Sequence, residues 1–251
     1  MTRRRYLSLA AAPLLAQDAP SGLHLFLLTG QSNMAGRGVP EAVDTDPIPG
    51  VSMLTKDLQW KPAVDPLHFD KPIAGVGIGR SFARRLRAAR PDRSIGLIPA
   101  AVGGTSLDQW APGGELFTAA VARAKAGMKS GRLRGILWHQ GEADSSDDKL
   151  ANSYVDRFAS MLAALRAELG AEGVPCVAGQ LGTFFRRGEA ALVNRQLSSI
   201  PLIVPKTIFV PSARLAHKGD DVHFDSPSLR EFGRRHALAY LSLDPEWDSG
   251  R

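Results

Sequence analysis

The sequence contains a single cysteine among its 251 residues. One thiol, that of Cys176, permits no disulfide within the chain and excludes a metal centre built from several thiolates. No run of about 20 consecutive apolar residues occurs, so the sequence predicts no permanent membrane span. Internal repeats, low-complexity segments and a lysine-bearing phosphate loop are also missing. These absences exclude the disulfide-rich, membrane-spanning and repeat classes of protein.

Aromatic residues are scarce, at 7% of the chain, while the formal net charge is +6. If residues 1–16 were removed, the charge would fall to +3, because Arg3, Arg4 and Arg5 would leave and no acid would. A further cluster of arginines (Arg84, Arg85, Arg87, Arg90 and Arg93) lies along one predicted helix and its exit, without the interleaved aromatics that single-stranded nucleic acid requires. We therefore expect a solvated helix face there and no nucleic-acid partner.

The first sixteen residues differ in kind from the rest. Three consecutive arginines precede a short apolar run, Leu9–Ala16, that ends in small residues. This order is typical of an export signal and resembles the twin-arginine type. The alternative is a frayed basic N-terminus. The sequence predicts export to the periplasm or the exterior, with residues 17–251 forming a single domain.

Apolar runs and helical patterns alternate after residue 22. The predicted strands are Leu23–Leu28, Ser94–Pro99, Gly135–Trp138, Val174–Gly179 and Thr207–Val210. The predicted helices are Gly79–Ala89, Leu116–Lys129, Asn152–Leu169, Ala190–Ile200 and Ser226–Leu241. Such alternation predicts an α/β fold: a three-layer α/β/α sandwich around a central, mostly parallel sheet of about five strands. Residues 39–76, rich in proline and aspartate, are interpreted as an excursion with a hairpin at 51–60, not as a separate domain.

A serine follows the first predicted strand directly. The apolar run Leu23–Leu28 ends in Thr29-Gly30-Gln31-Ser32, and Gly30 permits a tight turn there. In open α/β sheets, ligands bind beyond the carboxyl ends of the strands. Ser32 is therefore either a helix cap or a nucleophile, and the second interpretation needs a base and an acid.

His223, preceded by Asp220, is a candidate for that base. A spacing of three residues lets a carboxylate and an imidazole meet within one turn. The alternative is a loop that only caps the last helix, a role for which Asp225 and Ser226 suffice.

Two further segments are predicted at the same edge of the sheet. The first, His139-Gln140-Gly141-Glu142, follows a buried strand, and buried polar groups need partners. This segment either takes part in a reaction or only anchors the loop at the edge of the sheet. The second contains the pair Gly103-Gly104, whose backbone N–H groups suit either an oxyanion hole or an ordinary turn.

Together, and in this order, the four segments resemble the SGNH/GDSL hydrolase superfamily. More narrowly, they are similar to its sialate O-acetylesterase and carbohydrate-esterase branch, which includes acetylxylan esterases. The resemblance covers most of residues 23–240. Its markers are Gly30-Gln31-Ser32-Asn33-Met34, Gly103-Gly104-Thr105, Trp138-His139-Gln140-Gly141-Glu142 and Asp220-x-x-His223.

The resemblance implies a serine esterase that uses no cofactor and no metal ion. Ser32 would attack an ester carbonyl, and His223 would transfer the protons. Either Asp220 or Glu142 would orient His223, and Asp220 is preferred. The implied oxyanion hole consists of the N–H of Ser32, the N–H of Gly103 or Gly104, and the side chain of Gln140.

The implied partner is an acetylated carbohydrate. The residues expected to bind it are Gln31, Asn33, Thr105, His139 and Trp110. Sialic acid would favour a cationic contact, for which Arg37, Arg80 and Arg186 are candidates, whereas neutral xylan would favour aromatics such as Trp110. The sugar and the oligomeric state stay open.

Other functions remain as alternatives. A non-catalytic carbohydrate-binding protein would not need all four of Ser32, His223, Asp220 and Glu142. An acyltransferase would use the same site with a sugar in place of water. A lipase is less favoured, since no apolar groove is evident, and the G-x-S-x-G elbow of α/β-hydrolases does not occur around Ser32.

Overall fold

The computed structural model describes residues 22–244 and Trp247. Its strands are β1 (Leu23–Gly30), β2 (Val51–Leu54), β3 (Trp60–Pro62), β4 (Ile95–Pro99), β5 (Gly131–His139), β6 (Cys176–Gly179) and β7 (Thr207–Val210). They form one sheet in the order β3-β2-β4-β1-β5-β6-β7. Neighbouring strands are parallel, except for the antiparallel pair β2–β3. The predicted export segment lies outside the described residues.

Helices cover both faces of this sheet. They are α1 (Ser32–Ala35), α2 (Ala42–Thr45), α3 (Gly79–Ala89), α4 (Glu115–Met128), α5 (Asp148–Asn152), α6 (Tyr154–Glu168), α7 (Ala190–Ile203) and α8 (Ser226–Leu243). One core lies between the sheet and α4, α6 and α7. The other lies between the sheet and α3 and α8. The predicted α/β/α sandwich is thereby confirmed.

The central strand β1 shows why the sequence folds in this way. Successive side chains of a strand point to opposite faces. Leu25 and Leu27 accordingly enter the core beneath α4, α6 and α7, and Phe26 and Leu28 enter the other. All four are fully buried. A strand covered on both faces must be apolar throughout, which is the pattern expected for a parallel sheet.

The structure adds two strands to the five predicted, and both come from the excursion at residues 39–76. Strand β2 pairs in parallel with β4, and β3 pairs with β2 at the edge of the sheet. The predicted hairpin therefore extends the main sheet. Its strands are only four and three residues long, too short for a clear period-two pattern. The helix predicted over residues 152–169 corresponds to α6, and the structure adds a short helix, α5, before it.

The start of α8 matters for the site because the helix follows His223 after two residues. Asp225 is its N-cap, and its side chain accepts a hydrogen bond from the Ser228 N–H at 2.8 Å. Ser226 instead donates to the Val39 carbonyl at 2.7 Å. Capping thus stabilises the end of the loop that carries the histidine. Within the described ranges, no helix is both long and apolar enough to cross a membrane.

Candidate active site

Ser32 is presented by the tight turn between β1 and α1. Gly30 has a φ of +124°, a conformation that strongly favours glycine. A Cβ atom at this position would lie 2.1 Å from the carbonyl oxygen of His139, so no side chain fits. Gln31 then donates its N–H to that carbonyl at 2.8 Å, and Ser32 begins α1. The turn therefore places the serine at the carboxyl end of the central strand.

The hydroxyl of Ser32 contacts His223 although 191 positions separate the two residues. The distance from Ser32 Oγ to His223 Nε2 is 3.0 Å. On the other side of the ring, His223 Nδ1 lies 2.7 Å from Asp220 Oδ2. A proton on Nδ1 leaves Nε2 free to accept the serine proton, so the arrangement suits nucleophilic catalysis.

Asp220 is held ionised by its own loop. Its Oδ1 accepts the backbone N–H groups of Val222 at 3.0 Å and His223 at 2.8 Å. Burial opposes ionisation, but these bonds and the one to the imidazole outweigh it and hold the pKa of Asp220 well below its usual range. The carboxylate therefore stays charged and fixes the orientation of the ring.

His217 shapes the same loop. Its Nδ1 accepts the N–H groups of Gly219 at 3.1 Å and Asp221 at 3.2 Å. Asp221 has a φ of +57°, so the chain turns sharply immediately after Asp220. No sequence pattern indicates this role for His217, because hydrogen bonds between a loop side chain and its own backbone depend on the three-dimensional path of the loop.

Glu142 makes no hydrogen bond or ion pair with His223. Its Oε1 accepts a hydrogen bond from Asn33 Nδ2 at 2.6 Å, and its Oε2 has no hydrogen-bond partner in the described part of the chain. Glu142 lines the cavity beside Ser32. The expectation that it competes with Asp220 for the imidazole is therefore corrected, because the carboxylate is committed to a different neighbour.

Asn33, expected to bind substrate, instead joins α1 to the loop of residues 217–224 that carries His223, here called the histidine loop. It is 1% exposed. Its Nδ2 also donates to the Val222 carbonyl at 3.1 Å, and its Oδ1 accepts the Phe224 N–H at 3.1 Å. These two bonds hold the residues on either side of His223. Asn33 thus holds the loop that carries His223 and does not line the cavity.

Gln140 is also placed away from its expected role in the oxyanion hole. Its side chain is fully buried, and its Nε2 donates to the Thr105 carbonyl at 3.0 Å and to the Asp144 carboxylate. Its Oε1 lies 3.0 Å from the hydroxyl of Tyr154. Both ends of the amide are thus hydrogen-bonded inside the protein. Gln140 thereby connects the loop after β5 to the turn at Gly103-Gly104-Thr105, here called the glycine turn.

Three more predicted substrate contacts are corrected because they belong to the interior. Trp110 is 1% exposed and packs edge-on against Trp138. The hydroxyl of Thr105 donates to the Val102 carbonyl at 2.8 Å and accepts from Trp110 Nε1 at 3.2 Å. His139 is fully buried, with its Nε2 3.0 Å from the Gln180 carbonyl. These three side chains therefore pack and hydrogen-bond inside the protein, and none of them lines the cavity.

The glycine turn supplies one of its two predicted N–H donors. Gly103 already donates its N–H to Asp70 Oδ2 at 2.8 Å, so its expected role as an oxyanion donor is corrected. Gly104 is exposed at the cavity and its N–H has no hydrogen bond to a described residue. The N–H of Ser32 likewise donates no hydrogen bond to a described residue. The arrangement therefore leaves Ser32 and Gly104 as the candidate pair of oxyanion donors.

A cavity of about 420 Å³ opens above Ser32 and His223. Gln31 lies in its wall, as do Lys71 and Arg187, both exposed. Of the candidate cations for an acidic sugar, Arg37 lines the cavity but is paired with Asp70. Arg80 is buried elsewhere against three backbone carbonyls. Arg186 lines a neighbouring cavity with Phe184. Lys71 lies in the excursion, where no sequence pattern singled it out.

Residues 22–242 match the family model described as "Carbohydrate esterase, sialic acid-specific acetylesterase". The chain is 30% identical over 244 residues to a probable carbohydrate esterase of Arabidopsis thaliana, covering 87% of this chain and 90% of that protein.

Solved structures are similar as well. The crystal structure of that Arabidopsis protein superposes with a TM-score of 0.82 at 28% identity, covering 88% of this chain and 98% of the other. A carbohydrate acetylesterase from Xanthomonas citri gives a TM-score of 0.70 at 23% identity, over 89% of this chain and 57% of the other. At 23% identity, the similarity to the Xanthomonas citri protein shows a shared fold only.

Proposed function

Because the chain belongs to the carbohydrate esterase family of sialic acid-specific acetylesterases, and is thus a carboxylic ester hydrolase, we propose that it releases acetate from O-acetylated carbohydrates by serine catalysis. The observation that carries this proposal is the continuous chain of contacts from Ser32 to His223 at 3.0 Å and from His223 to Asp220 at 2.7 Å. The geometry meets the requirement that a serine nucleophile have a base within hydrogen-bond reach.

In the proposed reaction, Ser32 Oγ attacks the acetyl carbonyl carbon and its proton passes to His223 Nε2. The carbonyl oxygen becomes an oxyanion, which the N–H groups of Ser32 and Gly104 stabilise. The C–O bond to the sugar then breaks, and the sugar oxygen takes the proton from His223. A water molecule repeats these steps on the acetyl-enzyme and releases acetate. Asp220 stabilises the imidazolium that forms twice in this cycle.

Charge at the cavity favours an acidic sugar over a neutral one. Lys71 Nζ lies 3.7 Å from the position that a Cβ on Gly104 would occupy, so an ammonium group stands beside the proposed oxyanion hole. Arg187 adds a second exposed cation on the wall, so these two cations outnumber the single carboxylate of Glu142 in the lining. Trp110, the residue expected to stack on xylan, is buried. We therefore propose a substrate that carries a carboxylate as well as an O-acetyl group.

The direct experiment measures acetate release from O-acetylated sialic acid, acetylated xylan and p-nitrophenyl acetate. Ser32→Ala is expected to abolish release from all three substrates, with an unchanged unfolding temperature. Ser198→Ala, on the exposed face of α7, is the matched control and is expected to behave as wild type. Full activity of the Ser32 variant would contradict the assignment of the nucleophile. Acetyl transfer to an added sugar in preference to water would identify an acyltransferase instead.

We also propose that the protein is exported, on the basis of the basic and apolar order of residues 1–16. Cell fractionation tests this in a bacterial host with a twin-arginine pathway. The wild type is expected in the periplasm, and Arg3→Lys/Arg4→Lys is expected to retain the protein in the cytoplasm. Equal distribution of both proteins would contradict the proposal.

A further inference from the structure

A buried ion pair connects the two loops that supply the candidate oxyanion donors. Arg37 follows α1 by two positions, and its Nη2 lies 2.6 Å from Asp70 Oδ2. The side chains are 2% and 1% exposed. Arg37 Nη1 donates to the Gly36 carbonyl at 2.7 Å, while Asp70 accepts the Gly103 N–H at 2.8 Å. An unbroken chain of hydrogen bonds thus runs from the end of the nucleophile helix to the glycine turn.

The contact with the glycine turn is close. A Cβ atom on Gly103 would lie 2.3 Å from Arg37 Nη2 and 3.0 Å from Asp70 Oδ2. Any side chain at this position would displace the ion pair. The turn is therefore built around the pair, and the peptide that precedes Gly104 is held in one orientation.

Charge gives the pair a second role. An ionised carboxylate beside an oxyanion hole would oppose the negative charge that develops in the transition state. Arg37 neutralises that carboxylate, and its bond to Asp70, together with the Gly103 N–H, keeps the pKa of Asp70 below its ordinary value despite burial. Asp70 can then accept the Gly103 N–H without adding net negative charge to the site.

We propose that Arg37 and Asp70 are positioning residues of the oxyanion hole: they align the Gly104 N–H with that of Ser32 and keep the carboxylate beside them neutralised. This inference rests on the proposed serine mechanism. Oxyanion stabilisation acts only in the transition state, so the pair affects kcat and the binding of transition-state analogues, and has little effect on KM.

Three variants separate charge from positioning. Arg37→Met leaves the Asp70 carboxylate uncompensated. Arg37→Met/Asp70→Asn removes both charges but keeps an oxygen for the Gly103 N–H. Arg37→Met/Asp70→Ala removes the charges and that acceptor. Each is assayed for kcat and KM with p-nitrophenyl acetate, and for the Ki of phenylboronic acid, which forms an anionic tetrahedral adduct with a serine hydroxyl.

For Arg37→Met we expect a loss of about 100-fold in kcat, the size seen when one oxyanion donor is removed. Adding Asp70→Asn is expected to recover about tenfold of that loss, and Asp70→Ala is expected to recover less. The Ki should rise in parallel with the loss in kcat, while KM stays within about threefold. A purely structural pair would show the recovery in the unfolding temperature, since Asp70→Asn removes an unpaired buried charge, but without a parallel recovery in kcat and Ki.

The inference is overturned if Arg37→Met/Asp70→Asn is no more active than Arg37→Met, or if the losses appear in KM with an unchanged Ki. If Arg37→Met does not fold, the two double variants, which leave no unpaired buried charge, still test positioning: equal kcat values overturn it. Amide hydrogen exchange at Gly103, slow in the wild type and fast with Asp70→Ala, reports the bond without activity. An inactive wild type would overturn the proposed function and this inference with it.

A matched control is the ion pair between Arg230 and Asp44, 2.7 Å apart, which joins α8 to the same excursion away from the cavity. Arg230→Met and Arg230→Met/Asp44→Asn are expected to lower the unfolding temperature without changing kcat. A loss of kcat in these variants, similar to that of Arg37→Met, would show that loosening the excursion is sufficient and would overturn the specific role of Arg37 and Asp70.

Discussion

Asn33 Nδ2 donates a hydrogen bond to Glu142 Oε1 at 2.6 Å, across 109 positions of the chain. This bond gives the carboxylate that follows β5 a neighbour other than His223. The imidazole is left to Asp220, whose Oδ2 is 2.7 Å from His223 Nδ1. Two acids that the sequence presents as competitors thus have separate places in the structure.

The first prediction compares these two acids. Asp220→Asn is expected to lower kcat by about 10³-fold, because the amide favours the wrong imidazole tautomer and removes the charge that stabilises the imidazolium. Glu142→Gln is expected to stay within about tenfold of wild type, since its amide oxygen still accepts the Asn33 bond. The measurement is kcat/KM for p-nitrophenyl acetate. A larger loss in the Glu142 variant than in the Asp220 variant would show that Glu142 acts on the base.

The second prediction concerns the link between α1 and the histidine loop. Asn33→Ala leaves the Phe224 N–H and the Val222 carbonyl without their partner, which is expected to lower the free energy of unfolding by about 1–3 kcal/mol. We also expect kcat to fall at least about tenfold, because a mispositioned base loses rate steeply. Urea unfolding and ester hydrolysis measure the two effects. Asn152→Ala, at an exposed helix position, should change stability by less than about 0.5 kcal/mol; equal effects would contradict the prediction.

The third prediction addresses the charge of the substrate. Lys71→Met is expected to lower kcat/KM for an O-acetylated acidic sugar about three- to tenfold more than for a neutral acetylated xylo-oligosaccharide, since it removes an exposed cation from the cavity. The preference of the wild type for the acidic sugar should also decrease with added salt. Lys71→Met is a cleaner test than Arg187→Met, because Arg187 also contacts the Asp220 carbonyl at 3.3 Å. An identical loss on both substrates would exclude charge recognition by Lys71.

The fourth prediction is a pH dependence of stability away from the site. Burial raises the pKa of Asp65 to about 8. A carboxyl with a higher pKa in the folded protein binds more protons when folded, so its stabilising contribution is complete below about pH 4 and is lost as the pH rises. Asp65→Asn does not titrate. Its stability relative to wild type should therefore rise between about pH 4 and pH 8, by at most about 1.4 kcal/mol per pH unit.

Urea unfolding at several pH values measures this difference. Asp57→Asn, at an exposed turn position, is the control, and its curve should run parallel to that of the wild type. A constant difference between Asp65→Asn and wild type across this range would show that Asp65 titrates normally in the folded state.

Much of the fold follows from local patterns. The helix predicted at Gly79–Ala89 and the strand predicted at Thr207–Val210 match the observed bounds, because hydrophobic patterning and a stop signal such as Pro91 are properties of adjacent residues. Strands β2 and β3 were only outlined as a hairpin. Their place at the sheet edge depends on pairing with β4, whose partner residues lie more than 40 positions away.

The sequence by itself determined the order of the predicted elements, the position of Ser32 after the first strand, and the spacing that makes Asp220 the preferred of two candidate partners for His223. Each depends on residues a few positions apart, where spacing constrains geometry directly. Only the tertiary structure decided that Glu142 bonds to Asn33, that Gln140, Thr105, His139 and Trp110 are interior supports, and that Asp70 occupies the Gly103 N–H. These contacts depend on how loops from different strands pack. Each hydrogen bond contributes little free energy, so it forms only after the packing of the core has brought its two partners together.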